Sequence, residues 1–230
     1  MKKILFMLPI LAVALVSCNK DNGDELSGDD IIQFKDPILL QMLLSGEMTD
    51  AEGNNLIVDT NGDNQISVNE AQNVASLVLE AYDDNGDGEF SYNLTNVEEL
   101  KYFTSMTYFE CEFSPVTKAD FSNNKVLKDV YMEDNKLISI NVSGCSALET
   151  LCIEYGNLTD IDVSSCTSLT FLRLDSNQFT DIDVSNSPAL ENFSCEDNPL
   201  KTLTISESQK NASWLNDVES EYPDIEIIVK

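Results

Sequence analysis

Leucines at positions 127, 148, 169 and 190 stand 21 residues apart without a slip, and this interval restricts the possible folds of the chain more than any other feature. Alignment on those leucines brings further columns into phase. Three residues later come Val130, Leu151, Leu172 and Phe193, and five later Met132, Ile153, Leu174 and Cys195. Eight later stand Asn135, Gly156, Asn177 and Asn198, and ten later Leu137, Leu158, Phe179 and Leu200. The columns at thirteen and fifteen read Ile140, Ile161, Ile182, Leu203 and Val142, Val163, Val184, Ile205. Met106, Phe109, Cys111, Val116, Ala119 and Phe121 keep the same phase one unit upstream, giving five units over about residues 106–210. A unit this short cannot bury its own apolar ledge, so the units must stack as coils that cover one another. The alternating apolar positions predict one short strand per coil, and the Asn column suits amide side chains that bond backbone buried at the bend. Ile-Asp-Val-Ser at 161–164 and 182–185 leaves little room for an outer helix and predicts extended or 3₁₀ backing.

The consensus L-x-x-L-x-L-x-x-N-x-L at this period is that of leucine-rich repeats. The chain resembles the bacterial internalin-like leucine-rich repeat proteins, and more closely secreted lipoproteins whose repeats read L-x-x-L-x-C-x-x-N-x-L-T-x-L-D-V-S. Phe193-Ser194-Cys195-Glu196-Asp197-Asn198-Pro199-Leu200 and Leu158-Thr159-Asp160-Ile161-Asp162-Val163-Ser164 carry the likeness, which covers most of residues 31–210. It implies an α+β solenoid of parallel β coils and the role of a surface adhesin or binding module.

Composition removes other roles. The chain has 41 Asp and Glu against 13 Lys and Arg, a net charge of −28, and no histidine. Without His, the Ser-His-Asp and Cys-His mechanisms and His-based zinc sites are excluded. So acidic a chain lacks the clustered Lys and Arg that nucleic acid requires; it suits cations and basic partners.

Lys2 and Lys3 precede an apolar run at 4–16 that ends Leu15-Val16-Ser17-Cys18, which is secretory-signal architecture. The ending resembles the lipobox of bacterial lipoproteins, implying cleavage after Ser17 and acylation of Cys18. Two or three acyl chains anchor stably where one does not. Loss of residues 1–17 leaves 41 acids against 11 bases, a net −30. Residues 18–30 read as an acidic tether whose start looks like an export signal for the outer leaflet. The expected location is therefore the outer membrane, lipid-anchored and exposed at the cell surface.

Ahead of the repeats, residues 59–70 match an EF-hand loop, with Asp59, Asn61 and Asp63 at positions 1, 3 and 5, Gln65 supplying a carbonyl at 7, Ser67 at 9 and Glu70 at 12. Ile66 is the apolar anchor, and Asn64 stands where Gly is usual. A hard cation wants six to eight oxygens, so calcium is the expected cofactor. A weaker second loop offers Asp83, Asn85 and Asp87 but has Leu94 in place of the closing Glu. Residues 31–44 read as an amphipathic capping helix with Pro37 early, followed by a helix near 68–74 and a first strand near 76–79. At the other end, residues 211–230 leave the period and should form a helix-strand cap carrying Trp214. The domain plan is thus 1–17 signal, 18–30 tether, 31–96 cap with EF-hand-like loop, 97–210 repeats and 211–230 terminal cap.

Positions two, four and six after each leading residue should face outward. The sixth gives Glu112, Glu133, Glu154, Asp175 and Glu196, an acidic ladder whose rungs, about 5 Å apart, would repel by about 0.8 kcal/mol even in bulk water. Beside it stand Tyr108, Glu110, Tyr131, Tyr155, Phe171 and Arg173, the aromatic and charged mixture of interfaces. Cys111 and Cys195 fall in inward columns; Cys145 and Cys166 share a column, as free thiols or a disulfide; Cys152 points outward. These features predict a monomeric binding module that recognises protein or glycan through its concave face, with calcium holding the N-terminal cap. A calcium-responsive structural lipoprotein of the envelope is the alternative. A carboxylate-based hydrolase is the weakest reading, because glycoside chemistry needs a cleft and a raised pKa; the chain is expected not to be an enzyme.

Overall fold

A computed structural model describes residues 26–79 and 93–230. Cys18, the signal and most of the tether lie outside these residues, as do Asp83, Asn85 and Asp87 of the second loop. In chain order the protein forms helices α1 (Pro37–Ser45) and α2 (Val68–Ala71), then strands β1 (Ser76–Val78) and β2 (Asn96–Val97) and a 3₁₀ turn at Glu98–Tyr102. Strands β3 (Tyr108–Glu110), β4 (Lys118–Asp120), β5 (Asp129–Tyr131), β6 (Ser139–Asn141) and β7 (Thr150–Cys152) follow. The chain closes with β8 (Phe171–Arg173), β9 (Asp181–Asp183), β10 (Asn192–Ser194), β11 (Thr202–Ile205), α3 (Ser213–Glu221) and β12 (Glu226–Val229).

β1, β3, β5, β7, β8 and β10 make a six-stranded parallel sheet in that order. Phe109 sits opposite Val130, Val130 opposite Leu151, Leu151 opposite Leu172 and Leu172 opposite Phe193. Each coil thus contributes one rung, and the period of the sequence is the period of the sheet. The chain is a leucine-rich repeat solenoid. On the opposite side the backing is extended: β2, β4 and β6 form one short parallel sheet, and β9, β11 and β12 another. The Asp-Val-Ser motif has a local cause there. Backbone N–H groups of Ser122, Ser143, Ser164 and Ser185 donate to the side chains of Asp120, Asn141, Asp162 and Asp183 at 3.0, 3.1, 2.9 and 2.9 Å, an Asx turn in four successive coils. The two backing sheets are interrupted at the coil carrying Asp160 and Asp162, which share columns with Asp181 and Asp183. Bonds from Ser164 hold the Asp162 carboxyl low, while Asp183 pushes it the other way.

The core lies between these layers, with Phe103, Phe109, Phe121 and Phe179 fully buried. Polar ladders tie coil to coil at its edges. Asn135, Asn177 and Asn198 donate from Nδ2 to the carbonyls of Cys111, Ile153 and Leu174 at 2.7, 2.8 and 2.9 Å, always in the preceding coil. Gly156 replaces Asn in this column, and a Cβ there would stand 2.6 Å from Asn177 Oδ1. A second column runs Asn124, Cys145, Cys166 and Ser187. Cys145 Sγ donates to Phe121 O at 3.2 Å and Cys166 Sγ to Val142 O at 3.7 Å. All five described cysteines are free and buried, so Cys145 and Cys166 are not bridged; burial pushes both thiols up to about 12.

The caps differ in detail from the sequence expectation. α1 begins at Pro37 rather than residue 31, because Asp36 caps it by accepting from Ile38 N at 2.9 Å, while Ile31 pairs with Ser67 and Ile32 N donates to Ile66 O. α2 stops at Ala71, short of residue 74. At the far end Trp214 packs edge-on against Phe193 at 5.2 Å and donates from Nε1 to Leu190 O at 3.2 Å, and β12 pairs with β11.

Candidate functional site

The inward residues of the six-stranded sheet are fixed by burial, so the intervening positions must form its outer, concave face. Register places Tyr108, Asp129, Thr150, Phe171 and Asn192 in one row and Glu110, Tyr131, Cys152, Arg173 and Ser194 in the next. Tyr108 and Tyr131 lie with ring centroids 5.7 Å apart, and the Tyr108 hydroxyl donates a short hydrogen bond to Glu110. Burial first, and that bond second, raise the Tyr108 phenol above its ordinary range. Most of the two rows is half-exposed or exposed. Cys152 is the exception: it stands in an outward row but is 3% exposed, a small side chain overshadowed by Tyr131 and Arg173 in its own row. Burial, with Glu154 and Glu133 adding to it, pushes its thiol up to about 12, unsuited to nucleophilic work.

The acidic ladder is not continuous at the surface. Glu112 and Glu133 are half-exposed and Glu196 is exposed, but Glu154 and Asp175 are buried at 4% and 8% exposure. Position six lies beyond the strand, which spans only positions two to four, so the alternation of faces no longer governs it. Arg173 lies across the buried pair, with Nη1 3.3 Å from Glu154 Oε2 and Nε 3.6 Å from Asp175 Oδ2. Ser194 Oγ and Glu196 N donate to Asp175 Oδ1 at 2.5 and 2.7 Å. Burial first, then a hydrogen bond to Asp175, push the Glu154 carboxyl up to about 7, while Arg173 pulls it down. Charge repulsion within the buried pair is relieved by the Arg173 guanidinium and by the raised proton affinity of Glu154.

The next column escaped the sequence reading of the site, Tyr155 apart. Phe113, Asp134, Tyr155, Ser176 and Asp197 all have left-handed backbone, with φ of 50, 51, 56, 53 and 54°. Each stands three residues past the end of its strand, and the amides of the first four donate to the next coil, as Phe113 N does to Glu133 O at 3.0 Å. The bend turns Phe113 and Tyr155 outward at 48% and 56% exposure. The two-period separation of Phe113 and Tyr155, 42 residues, one place after the ladder, was the available signal.

In the loop at 59–70, Asp59 accepts from the amides of Gly62, Asp63 and Asn64 at 2.8, 3.3 and 2.9 Å. Asn61 and Asp63 accept from Asp63 N and Gln65 N at 2.8 and 2.9 Å, and Asn64 takes φ 61° at the sixth position. Glu70 Oε1 accepts from Thr60 N, Thr60 Oγ1 and Asn61 N, and Oε2 from Ser67 N and Oγ, closing a capping box on α2. The donor set is all oxygen with three carboxylates, which fits a hard cation. Among the described residues no three acids, Cys or His converge as a metal cluster. A cation would therefore compete with Thr60 and Ser67 for Glu70.

Among the described residues, two of the clefts bear on the site. One of about 600 Å³, lined by Lys101, Tyr102, Asp120, Asn123 and Lys125 among others, contains no residue of the concave rows. Another, of about 290 Å³, opens on the concave face between β8, β10 and α3.

No family model matches the sequence, and no curated protein matches it. Similar solved structures include internalin C2 of Listeria monocytogenes, at 16% identity over 86% of this chain and 94% of that one, with a TM-score of 0.47. The functional domain of InlJ from Listeria monocytogenes, described as including a cysteine ladder, is 24% identical over 60% of this chain and 32% of that one, with a TM-score of 0.46. A leucine-rich repeat protein of Leptospira interrogans is 22% identical over 48% and 31% of the two chains, with a TM-score of 0.45. The chain thus spans about a third of the length of the last two.

Proposed function

We propose that this chain is a binding module that docks a protein partner on the concave face of its repeats. The observation that carries this reading is the composite surface of Tyr108, Tyr131, Phe171 and Arg173 with the exposed Phe113 and Tyr155, held in fixed register on a rigid parallel sheet. Rigid aromatic anchors among charges are what protein interfaces use. Glu110, Glu112, Glu133 and Glu196 supply its acidic surround, whereas Glu154 and Asp175 act from beneath by fixing Arg173.

The module works as a monomer held at the outer membrane surface by acylated Cys18, with a calcium ion in the loop at 59–70 supported by Asp59, Asn61, Asp63, Gln65, Ser67 and Glu70. Incorporation of labelled palmitate, lost in Cys18→Ala, tests the anchor. The reading includes no catalysis: neither Glu154 nor Asp175 lines the concave cleft, and both are engaged by Arg173. Docking is tested by capture of envelope or host proteins with the wild-type chain, with Tyr131→Ala/Phe171→Ala, and with the backing-sheet control Lys118→Ala. Loss of capture in the concave variant alone is expected. Equal capture by all three would move the interface elsewhere.

A further inference from the structure

The concave cleft of about 290 Å³ is closed on one side by the terminal cap, and its lining is chemically divided. Its floor is aromatic. Phe193 and Trp214 meet edge to face at 5.2 Å, and Phe171 forms a half-exposed wall. The indole N–H is already given to Leu190 O at 3.2 Å, so Trp214 offers an occupant only its ring. The rim is acidic. Glu191 and Asp217 line the cleft, are exposed, and take part in no ion pair among the described residues. The single cation in the lining, Arg173, is turned to Glu154 and Asp175 at 3.3 and 3.6 Å, so its head group is already engaged by two buried carboxyl groups.

We infer that this cleft receives a lysine or arginine side chain from a basic segment of the docked protein. The inference rests on the docking reading and gives the partner its chemistry. An anionic group would meet two carboxylates. An apolar side chain would strip water from them and return nothing. A long cationic side chain satisfies both halves: its methylene stem lies against the half-exposed Phe171 and over the aromatic floor, and its head group reaches the acidic rim. The net charge of −28 draws such segments toward the face.

Trp214 is the only tryptophan, so its emission reports on this cleft alone. The full chain is titrated with tetra-arginine amide and, in parallel, with a neutral tetrasaccharide, with far-UV circular dichroism confirming the fold of each variant. A saturable change in Trp214 emission with the peptide is expected. Asp217→Asn and Glu191→Gln, both surface changes, should each weaken it about tenfold, and added salt should weaken it further. A silent Trp214, a response unchanged in both variants, or a response to the saccharide and not the peptide overturns the inference. If capture of a protein partner still depends on Tyr131 and Phe171 while Trp214 stays silent to the peptide, the cleft inference falls and the docking reading stands. If the peptide response fails and capture ignores every concave substitution, both fall.

Discussion

Glu70 in the cap and Glu154 in the repeats are the same residue type at nearly the same burial, 6% and 4% exposed. Their proton affinities move in opposite directions. Burial alone would raise both. Glu70 overcomes it because Ser67 and Thr60 surround its oxygens with donors, which hold the carboxyl below its ordinary range. Glu154 instead meets the Asp175 carboxylate, and Arg173 only partly offsets the pair, so it rises to about 7. Burial sets the stakes for a carboxyl; the donors around it set the sign.

The contrast can be tested most sharply at Glu154. Its folded form holds the proton more tightly than the unfolded chain, so the stabilisation is complete below the ordinary value of 4.5 and is lost as pH rises to about 7. The linked loss is about 3 kcal/mol. Denaturant unfolding at pH 5 and pH 8 should show it, and Glu154→Gln should remove most of the slope and exceed the wild type at pH 8. A wild-type profile that is flat across that window breaks the contrast. Glu99, buried with Oε2 unbonded and raised first by burial, adds a smaller slope of the same sign.

Glu70 should behave in reverse. Its contribution is present above about 4.5 and lost as pH falls through the depressed value. Glu70→Gln is expected to cost about 2 kcal/mol at pH 7, read as faster amide exchange in residues 59–71, with little effect on β8 or β10. Calcium adds a finer test. At ten times its Kd the ion should stabilise the wild type by about 1.4 kcal/mol and Asp59→Ala not at all. No difference between calcium and chelator in the melting of the wild type would remove the ion from the loop. The smallest effect belongs to an exposed pair: Lys128 lies 2.8 Å from Glu149 with both side chains about half exposed, and Lys128→Ala should leave the denaturation midpoint within the scatter of repeated wild-type measurements.

The repeats were legible because their determinants are local and periodic. Leu127 and its successors and the Asn column each name a contact with the coil one period away, and the Asp-Val-Ser turn names a contact within its own coil. The burial of Glu154 and Asp175 was not legible, since counting alternate faces assumes a strand that ends two residues earlier. Cys152 escaped for a related reason: its direction was readable, but its cover by Tyr131 and Arg173 depends on the size of neighbours 21 residues away. In the cap, the spacing of Ser67 and Glu70 serves a helix capping box as well as an ion, and sequence alone does not separate the two uses.

The left-handed column at 113, 134, 155, 176 and 197 contains no glycine, although glycine would relieve about 1 kcal/mol of backbone strain at each place. What the chain keeps in exchange is a side chain of free choice. The amide there holds the coil together, while the side chain leaves the core, so its identity can change without altering the register beneath it. Successive coils thus carry one interchangeable character each, a short line of text written on an invariant frame.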